Sequence, residues 1–216
     1  MTKIFAAALL VITALAAQAS NNSAAVVLAT NGTVTIQRGG AALPATRKST
    51  LVEHDEIHTG DNARAQLRFA DGTVTTLGAN TIFVIKTYQW KSDNKQEADA
   101  GFQLVQGAFR TVTGHILDAQ GSRFNVTTPV GVIGIRGTDF WGGYLDGDNV
   151  DVLLIDGKHA VTISNKSGTV ILNKPGEGTT LRADQGAPAV KVWPKEKVGR
   201  AVATIAWPAD AKEQPE

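Results

Sequence analysis

Apolar and polar residues alternate along much of the chain with a period of two. In the run ARAQLRF, residues 63–69, the alanines, Leu67 and Phe69 fall on one side, and the arginines and the glutamine fall on the other. Such alternation is typical of a β-strand with one buried and one solvent-exposed face. The run RFNVTTPV, residues 123–130, alternates in the same way, and TIFVI, residues 81–85, is apolar after its first residue. These patterns predict two half-exposed strands and one more deeply buried strand.

Glycines divide the later part of the chain at regular intervals. Gly147, Gly157, Gly168 and Gly178 are spaced by 10, 11 and 10 residues, and short β-branched runs lie between or after them. Because glycine adopts positive φ at little cost, the Asp-Gly and Ser-Gly pairs at the first three predict tight turns. Short strands at this spacing are typical of a sandwich, a barrel or a solenoid. We therefore predict an all-β fold with a short-strand, solenoid-like or two-sheet architecture; a jelly-roll-like β-sandwich is the alternative.

The chain changes character after Gly186. The segment KEKVGRAVATIAW, residues 195–207, predicts a short helix, although Gly199 and the β-branched residues lower its helix propensity. The last nine residues, PADAKEQPE, are polar and proline-rich, which predicts a partly disordered tail. We expect a β domain over residues 20–186 and a C-terminal extension over residues 187–216.

The first 19 residues have the pattern of a secretory signal peptide. Lys3 precedes an apolar run of 14 residues, and Ala17-Gln18-Ala19 fits an A-x-A cleavage site. The run is shorter than the roughly 20 residues that span a bilayer, and no later segment is apolar enough to do so. The sequence predicts export to the periplasm, cleavage after Ala19 and a product that is not embedded in the membrane.

The charge and cysteine content of the chain exclude some classes of partner and some covalent modifications. The chain has 21 basic and 20 acidic residues, and the predicted leader contains one of the basic ones, so the exported protein would be close to neutral. Nucleic-acid binding normally leaves a basic footprint, and nucleic acid is therefore not expected as a partner. The chain has no cysteine, which excludes disulfides and the lipidated cysteine of a lipoprotein.

The stretch TTPVGVIGIRGTDFWGGYL, residues 127–145, holds one arginine and one aspartate among glycines and apolar residues. Arg136 and Asp139 would point to opposite faces of a strand unless Gly137 and Thr138 form a turn or bulge. The favoured hypothesis is that Arg136 braces this turn by contacting loop carbonyls or a nearby acid, because a buried charge needs a partner. The alternative is that its planar guanidinium binds a carboxylate or the backbone of a partner protein.

Four pieces of sequence, in this order and spacing, resemble the FecR-type periplasmic domain, a family named after the ferric-citrate regulator. They are D-x-I-x-T-G at 55–60, L-x-F-x-D-G-T at 67–73, T-P-x-G-V-x-G-I-R-G-T-x-F at 128–140 and VLLIDG ending at residue 157. The resemblance covers about residues 30–160, and R-G-T-x-F is its most specific piece. His54 stands where the family usually has a glycine before the first aspartate, so we expect a different local turn there.

The resemblance implies a β-rich, solenoid-like stack without catalysis. Regulators of this family also carry a cytoplasmic segment that controls a sigma factor and a single membrane span. The sequence indicates neither, so we expect only the role of the periplasmic module, which receives a signal from an outer-membrane receptor. The resemblance implies a mainly structural role for the motif residues Thr128, Pro129, Gly131, Arg136, Gly137, Thr138, Asp139 and Phe140.

Other clusters of functional residue types have simpler interpretations. In EHDEIH, residues 53–58, His54 and His58 would share one face of a helix, but the context predicts a solvated turn into a strand rather than a metal site. Four aspartates lie within residues 146–156, without a loop of EF-hand type, and they suit turns and strand edges. The chain has no G-x-S-x-G elbow. We predict no catalytic residue, no metal and no cofactor.

Trp193 and Trp207 each precede a proline in the C-terminal extension. They either pin the extension to the core or dock a partner, as exposed tryptophans often do. Together these features predict a non-catalytic periplasmic binding or scaffold module, in envelope signalling, that contacts an envelope protein or peptide through a sheet face or edge. The alternatives are a cell-wall or polysaccharide-associated binder or enzyme, and a structural envelope component. The sequence does not indicate an oligomeric state.

Overall fold

The alternating runs of the sequence form strands in the computed structural model, which describes residues 23–92, 96–157, 159–183 and 188–208. The predicted leader and most of the predicted tail lie outside these residues. In chain order the elements are β1 (Ala25–Asn31), β2 (Val34–Arg38), β3 (Ala41–Pro44), β4 (Thr50–Leu51), β5 (Glu56–Thr59), β6 (Arg64–Phe69), β7 (Val74–Leu77), β8 (Ile82–Gln89), β9 (Asp99–Gln106), β10 (Ala108–Val112), β11 (Arg123–Thr128), β12 (Gly131–Ile135), β13 (Asp139–Gly143), β14 (Val150–Asp156), β15 (Val161–Asn165), β16 (Gly168–Leu172), β17 (Glu177–Leu181), β18 (Lys191–Val192) and α1 (Lys195–Ile205).

The strands form two sheets of nine strands each. The order in the first sheet is β18-β17-β14-β13-β10-β7-β6-β1-β4, and in the second sheet it is β16-β15-β12-β11-β9-β8-β5-β2-β3. Apart from β4 and β3 at the starting edges, strand order follows chain order in both sheets, so each strand is added beside its predecessor. β9 and β11 pair in parallel, and the other neighbouring strands of the described chain pair antiparallel. This nearest-neighbour order of the strands confirms the predicted all-β, solenoid-like two-sheet architecture.

The inward side chains of both sheets fill the space between them. Leu67 and Phe69, which the alternation placed on one face of β6, are 0% and 2% exposed. A row of phenylalanine rings crosses the core with centroid separations of 5.0, 5.4, 5.5 and 5.4 Å. Each such ring pair contributes about 1 kcal/mol beyond the area that it buries. Because side chains occupy the core, the candidate binding sites considered below lie on the surface.

Asp71, the aspartate of the L-x-F-x-D-G-T motif, links three separate segments. Its carboxylate is buried and accepts hydrogen bonds from the Thr73 hydroxyl at 2.5 Å, the Tyr88 hydroxyl at 2.7 Å and the Ile116 amide at 3.0 Å. Burial, followed by the nearby carboxylate, raises the pKa of Tyr88, so its hydroxyl stays protonated and donates to Asp71. The motif therefore joins the β6–β7 turn to β8 and to the segment after β10.

Asp55, the aspartate of the D-x-I-x-T-G motif, accepts a bidentate hydrogen bond from Arg38, with both N–O distances 2.6 Å. It is 0% exposed and also accepts the Val52 amide at 2.8 Å. The preceding residue, His54, is exposed and has φ of 70°. Glycine is the residue that adopts this left-handed conformation most readily. The turn therefore has a backbone conformation that favours glycine, although the side chain is histidine.

We expect His54→Gly to stabilise the protein. A non-glycine residue in the left-handed region costs about 1–2 kcal/mol, and the extra freedom of glycine in the unfolded chain offsets about half of this. The expected gain is about 0.5–1 kcal/mol, or an increase in melting temperature of about 2 °C. Thermal unfolding followed by circular dichroism would measure it. Lys86→Gly, in the interior of β8, is the control and should lower the melting temperature. An unchanged or lower value for His54→Gly would contradict the argument.

The C-terminal extension packs on the outward face of the first sheet. The predicted helix forms as α1, residues Lys195–Ile205, and its buried side chains are Ala201 and Ile205. They join Trp141 and Trp193 in a second apolar cluster, separate from the core between the sheets. No helix among the described residues is long and apolar enough to cross a membrane.

Candidate functional site

The first part of the family motif builds the β11–β12 hairpin. The Thr128 hydroxyl donates to the carbonyl oxygen of Gly131 at 2.9 Å and accepts the Val130 amide at 3.3 Å. Pro129 occupies the first position of this two-residue turn, where its restricted φ is favourable. A Cβ on Gly131 would lie 2.5 Å from the carbonyl oxygen of Ser164, so only glycine fits beside β15. These contacts set the register of β11 and β12.

The second part of the motif carries the chain from the second sheet to the first. Gly137, with φ of 96°, makes the corner between β12 and β13. The Thr138 hydroxyl donates to the carbonyl oxygen of Asp156 at 2.6 Å, and the Thr138 amide donates to the Thr113 hydroxyl at 2.7 Å. The Thr113 amide donates in return to the Thr138 carbonyl oxygen at 3.2 Å. Thr138 therefore connects the corner to the strands on both sides.

Asp139 pairs with Arg110 and not with Arg136. The Arg110 guanidinium donates two hydrogen bonds to the Asp139 carboxylate, at 2.9 and 2.6 Å, and this pairing raises the pKa of Arg110. The two residues lie on neighbouring strands, β10 and β13. Phe140, the next residue, turns inward and contacts Phe109 at 5.4 Å between ring centroids.

Arg136 is exposed, and its guanidinium makes no hydrogen bond or ion pair within the described part of the chain. The expected bracing contact is therefore not seen among the described residues. The physical reason is the strand period: Ile135 is 4% exposed and faces the core, so Arg136 faces outward. Thr138 and the Arg110–Asp139 pair hold the corner instead.

Arg136 lines an open groove of about 800 Å³ at the ends of β11, β12 and β15. Arg123 and His159, both exposed, line the same groove. The pairing of β11 with β12 ends at Asn125 and Gly134, and Arg123 and Arg136 each lie two residues beyond this pair. We call the site formed by Arg123, Asn125, Gly134, Arg136 and His159 the basic groove.

Arg123 and His159 were not predicted from the sequence as site residues. For Arg123, a hairpin turn could have indicated its position. A two-residue turn at Pro129-Val130 would bring positions 123 and 136 to the same open end of the hairpin. His159 carries no comparable signal, because it follows β14 and comes from a different hairpin. Arg123 also donates to Asp99 at 3.2 Å, and its side chain remains 65% exposed.

A second, shallower depression of about 520 Å³ lies at the other end of β12. Val132, Ser164 and Lys166 line it, together with the turn before β12. Arg182 lies on its far side, after β17. Among the described residues that line the two depressions, none is an aspartate or a glutamate.

Trp193 is largely buried in this structure. It is 7% exposed and packs edge-on against Trp141, with ring centroids 6.3 Å apart. The Lys197 ammonium lies 4.1 Å from the centroid of its ring. Trp193 thus pins the extension to the first sheet, which was one of the two alternatives. Trp207 is half-buried near the end of the described chain.

The acidic and histidine clusters do not converge on one site. Asp146 pairs with Arg200 at 2.6 Å, and Asp151 pairs with Lys197 at 2.6 Å. His58 contacts Glu56 at 3.1 Å on the same face of β5. Within the described ranges, no group of three or more histidine, aspartate or glutamate side chains is placed to hold a metal ion.

Comparison with known proteins finds a family model that matches part of the chain. Residues 55–159 match the family model described as FecR protein. Two crystal structures of a protein from Parabacteroides distasonis, described as a candidate anti-sigma factor, share the fold, each with a TM-score of 0.53 and 21% identity. Each match covers 67% of this chain and 62% of the other, less than two thirds of its length. No curated protein gives a significant match. The similarity of this chain to the FecR family therefore lies in residues 55–159, just under half of its length.

Proposed function

We propose that the protein is a non-catalytic receiver module of envelope signalling that binds a protein partner in the periplasm through its second sheet. The match to the FecR family supports a signalling role. The fold shared with a candidate anti-sigma factor agrees with it. The predicted signal peptide, which lies outside the described residues, supports the location.

A difference between the two sheets carries the proposal. α1 covers part of the outward face of the first sheet, and the edge strands of that sheet, β4 and β18, have only two residues each. The edge strands of the second sheet are longer: β3 has four residues and β16 has five. An exposed sheet edge offers unpaired backbone groups to which a partner can add a strand.

β16 is the better of these two edges for strand addition. β3 ends in Pro44, which has no amide hydrogen to donate to a new strand. β16, Gly168–Leu172, contains no proline, and Ile171 on this strand is 48% exposed. An added strand would cover this side chain while pairing with the backbone of β16.

The described surface supports binding better than catalysis. A glycosidase-like site would need two acids that converge on one groove. Asp146 and Asp151 instead pair with different cations on α1, and the two depressions beside β12 are lined by cations. This arrangement disfavours the alternative of a polysaccharide-degrading enzyme.

We expect Ile171→Lys to reduce partner capture at least tenfold. Burying an isoleucine side chain contributes roughly 1.5–3 kcal/mol, and a lysine on an edge strand opposes pairing. The tagged protein would be used as bait in envelope extract, and captured proteins would be quantified by mass spectrometry after cross-linking.

Val192→Lys provides the matched control, because Val192 lies on the edge of the first sheet and is 75% exposed. It should capture the same partner as the wild type. Equal capture by wild type and Ile171→Lys would exclude the β16 edge. If the wild type enriched no envelope protein over the tag alone, the proposed function itself would be wrong.

A further inference from the structure

Arg123 and Arg136 line the same groove at the open end of the β11–β12 hairpin. Like charges that share a site repel each other unless an opposite charge lies close to them. Arg123 has Asp99 at 3.2 Å, whereas Arg136 has no acidic partner within the described residues. The basic groove therefore carries a net positive charge, and a bound anion would relieve the repulsion.

The floor of the basic groove is polar and has little side-chain bulk. Gly134 lies between Asn125 on β11 and Thr162 on β15, so the backbone of β12 is accessible there. No tryptophan or tyrosine is among the described lining residues, and the one phenylalanine among them, Phe124, is 2% exposed. A sugar ligand usually stacks on an exposed aromatic ring, whereas carboxylates pair with the planar guanidinium of arginine.

Outward residues of β12 and β15 lie between the basic groove and the second depression. Val132 and Ser164 are the next outward pair after Gly134 and Thr162, and exposed Lys166 follows in the turn after β15. We call this row, from Arg136 to Lys166, the β12 strip. Its length corresponds to about six residues of strand, or roughly 20 Å. The strip has cations at both ends and small or uncharged side chains between them.

We infer that the β12 strip binds an extended acidic segment of a protein partner, about six residues long. Carboxylates of the segment pair with Arg136 and Arg123 at one end and with Lys166 at the other. The inference rests on the proposed function and adds the chemistry of the partner. An extended peptide of six residues spans roughly 20 Å, which matches the strip, whereas a small anion would occupy one end only. Because the cations are exposed, the binding should weaken with salt.

The test uses a fluorescein-labelled hexaglutamate peptide and fluorescence anisotropy at low ionic strength. We expect Arg136→Gln to weaken binding about tenfold, since it removes a charge-assisted, bidentate contact. Lys166→Gln should weaken it about threefold, because a flexible ammonium makes a weaker contact. Lys86→Gln, an exposed lysine on β8 of the same sheet, is the control and should bind like the wild type. The melting temperature of Arg136→Gln should equal that of the wild type, whereas a bracing arginine would lower it.

Several outcomes would overturn the inference. They are no binding of hexaglutamate, equal binding by the wild type and Arg136→Gln, or a large fall in the melting temperature of Arg136→Gln. Displacement of the peptide by inorganic phosphate or oligogalacturonate at equal charge concentration would assign the groove to a small anion or an acidic glycan instead. Arg123→Gln is the second variant and should behave like Arg136→Gln.

The capture experiment separates this inference from the proposed function. If Arg136→Gln captured the envelope partner as well as the wild type did, while Ile171→Lys lost it, the acidic segment would be excluded and the receiver function would stand. If the wild type captured no partner but still bound hexaglutamate, the receiver function would fail and the anion site would remain.

Discussion

Replacing Asp71 with alanine is expected to destabilise the protein by about 3 kcal/mol, because it removes a buried acceptor and leaves its donors unpaired. The Tyr88 hydroxyl and the Ile116 amide would lose their contacts with the carboxylate, and so would Thr73. These donors come from three segments, so the loss would loosen the β6–β7 turn, β8 and the connection after β10 together. Urea unfolding, followed by tryptophan fluorescence, would measure the free energy of unfolding.

Two further variants make this test specific. Asp61→Ala, at an exposed turn before β6, should change the free energy of unfolding by no more than about 0.5 kcal/mol. Tyr88→Phe should cost about 1 kcal/mol, because Asp71 keeps its other donors. A decrease in the free energy of unfolding of less than about 1 kcal/mol for Asp71→Ala would contradict the argument, because the loss of a buried acceptor leaves several donors without a hydrogen bond.

Trp141→Ala is expected to destabilise the protein by about 4 kcal/mol and to release α1 from the first sheet. Trp141 is 0% exposed, packs against Trp193 and donates from Nε1 to the Thr204 hydroxyl at 2.9 Å. Alanine would leave a cavity under the helix and remove this hydrogen bond. Hydrogen–deuterium exchange would show faster exchange of the amides of residues 195–205, and urea unfolding would give the loss of stability.

The matched control for this variant is Trp207→Ala. Trp207 is half-buried and lies beyond α1, so its removal should cost about 1 kcal/mol or less and leave exchange in α1 slow. Unchanged exchange of α1 in Trp141→Ala would show that the helix is held by other contacts. Because the β12 strip belongs to the second sheet, folded Trp141→Ala should still bind hexaglutamate like the wild type.

Much of the secondary structure could be predicted from the sequence because its signals are local. The alternation in residues 63–69 corresponds to β6, Arg64–Phe69, and the alternation that begins at residue 123 corresponds to β11, Arg123–Thr128. The short helix was expected within residues 195–207 and forms at Lys195–Ile205. In each case neighbouring residues determine which face is apolar, so no knowledge of distant contacts is needed.

The partners of individual side chains could not be predicted in this way. Asp139 has an arginine three residues before it, yet it pairs with Arg110 on β10. Trp193 meets Trp141 because the chain returns to the outward face of the first sheet after eighteen strands have formed. These pairings depend on strand order and on which face each strand buries, and both are properties of the assembled sheets.

The fold class and the resemblance to the FecR family could be inferred from the sequence alone, because periodicity, turn residues and motif order are encoded in neighbouring positions; export is likewise a hypothesis from the sequence alone. The tertiary structure decided the role open to Arg136. The strand period turns the side chain of Arg136 outward, into the groove that Arg123 also lines. Asp139, the acid nearest to Arg136 in sequence, pairs with Arg110 on β10 instead. Strand pairing and sheet order bring together residues from distant parts of the chain. For this reason Arg136 lies in an exposed basic groove and does not make the internal contact that the sequence suggested.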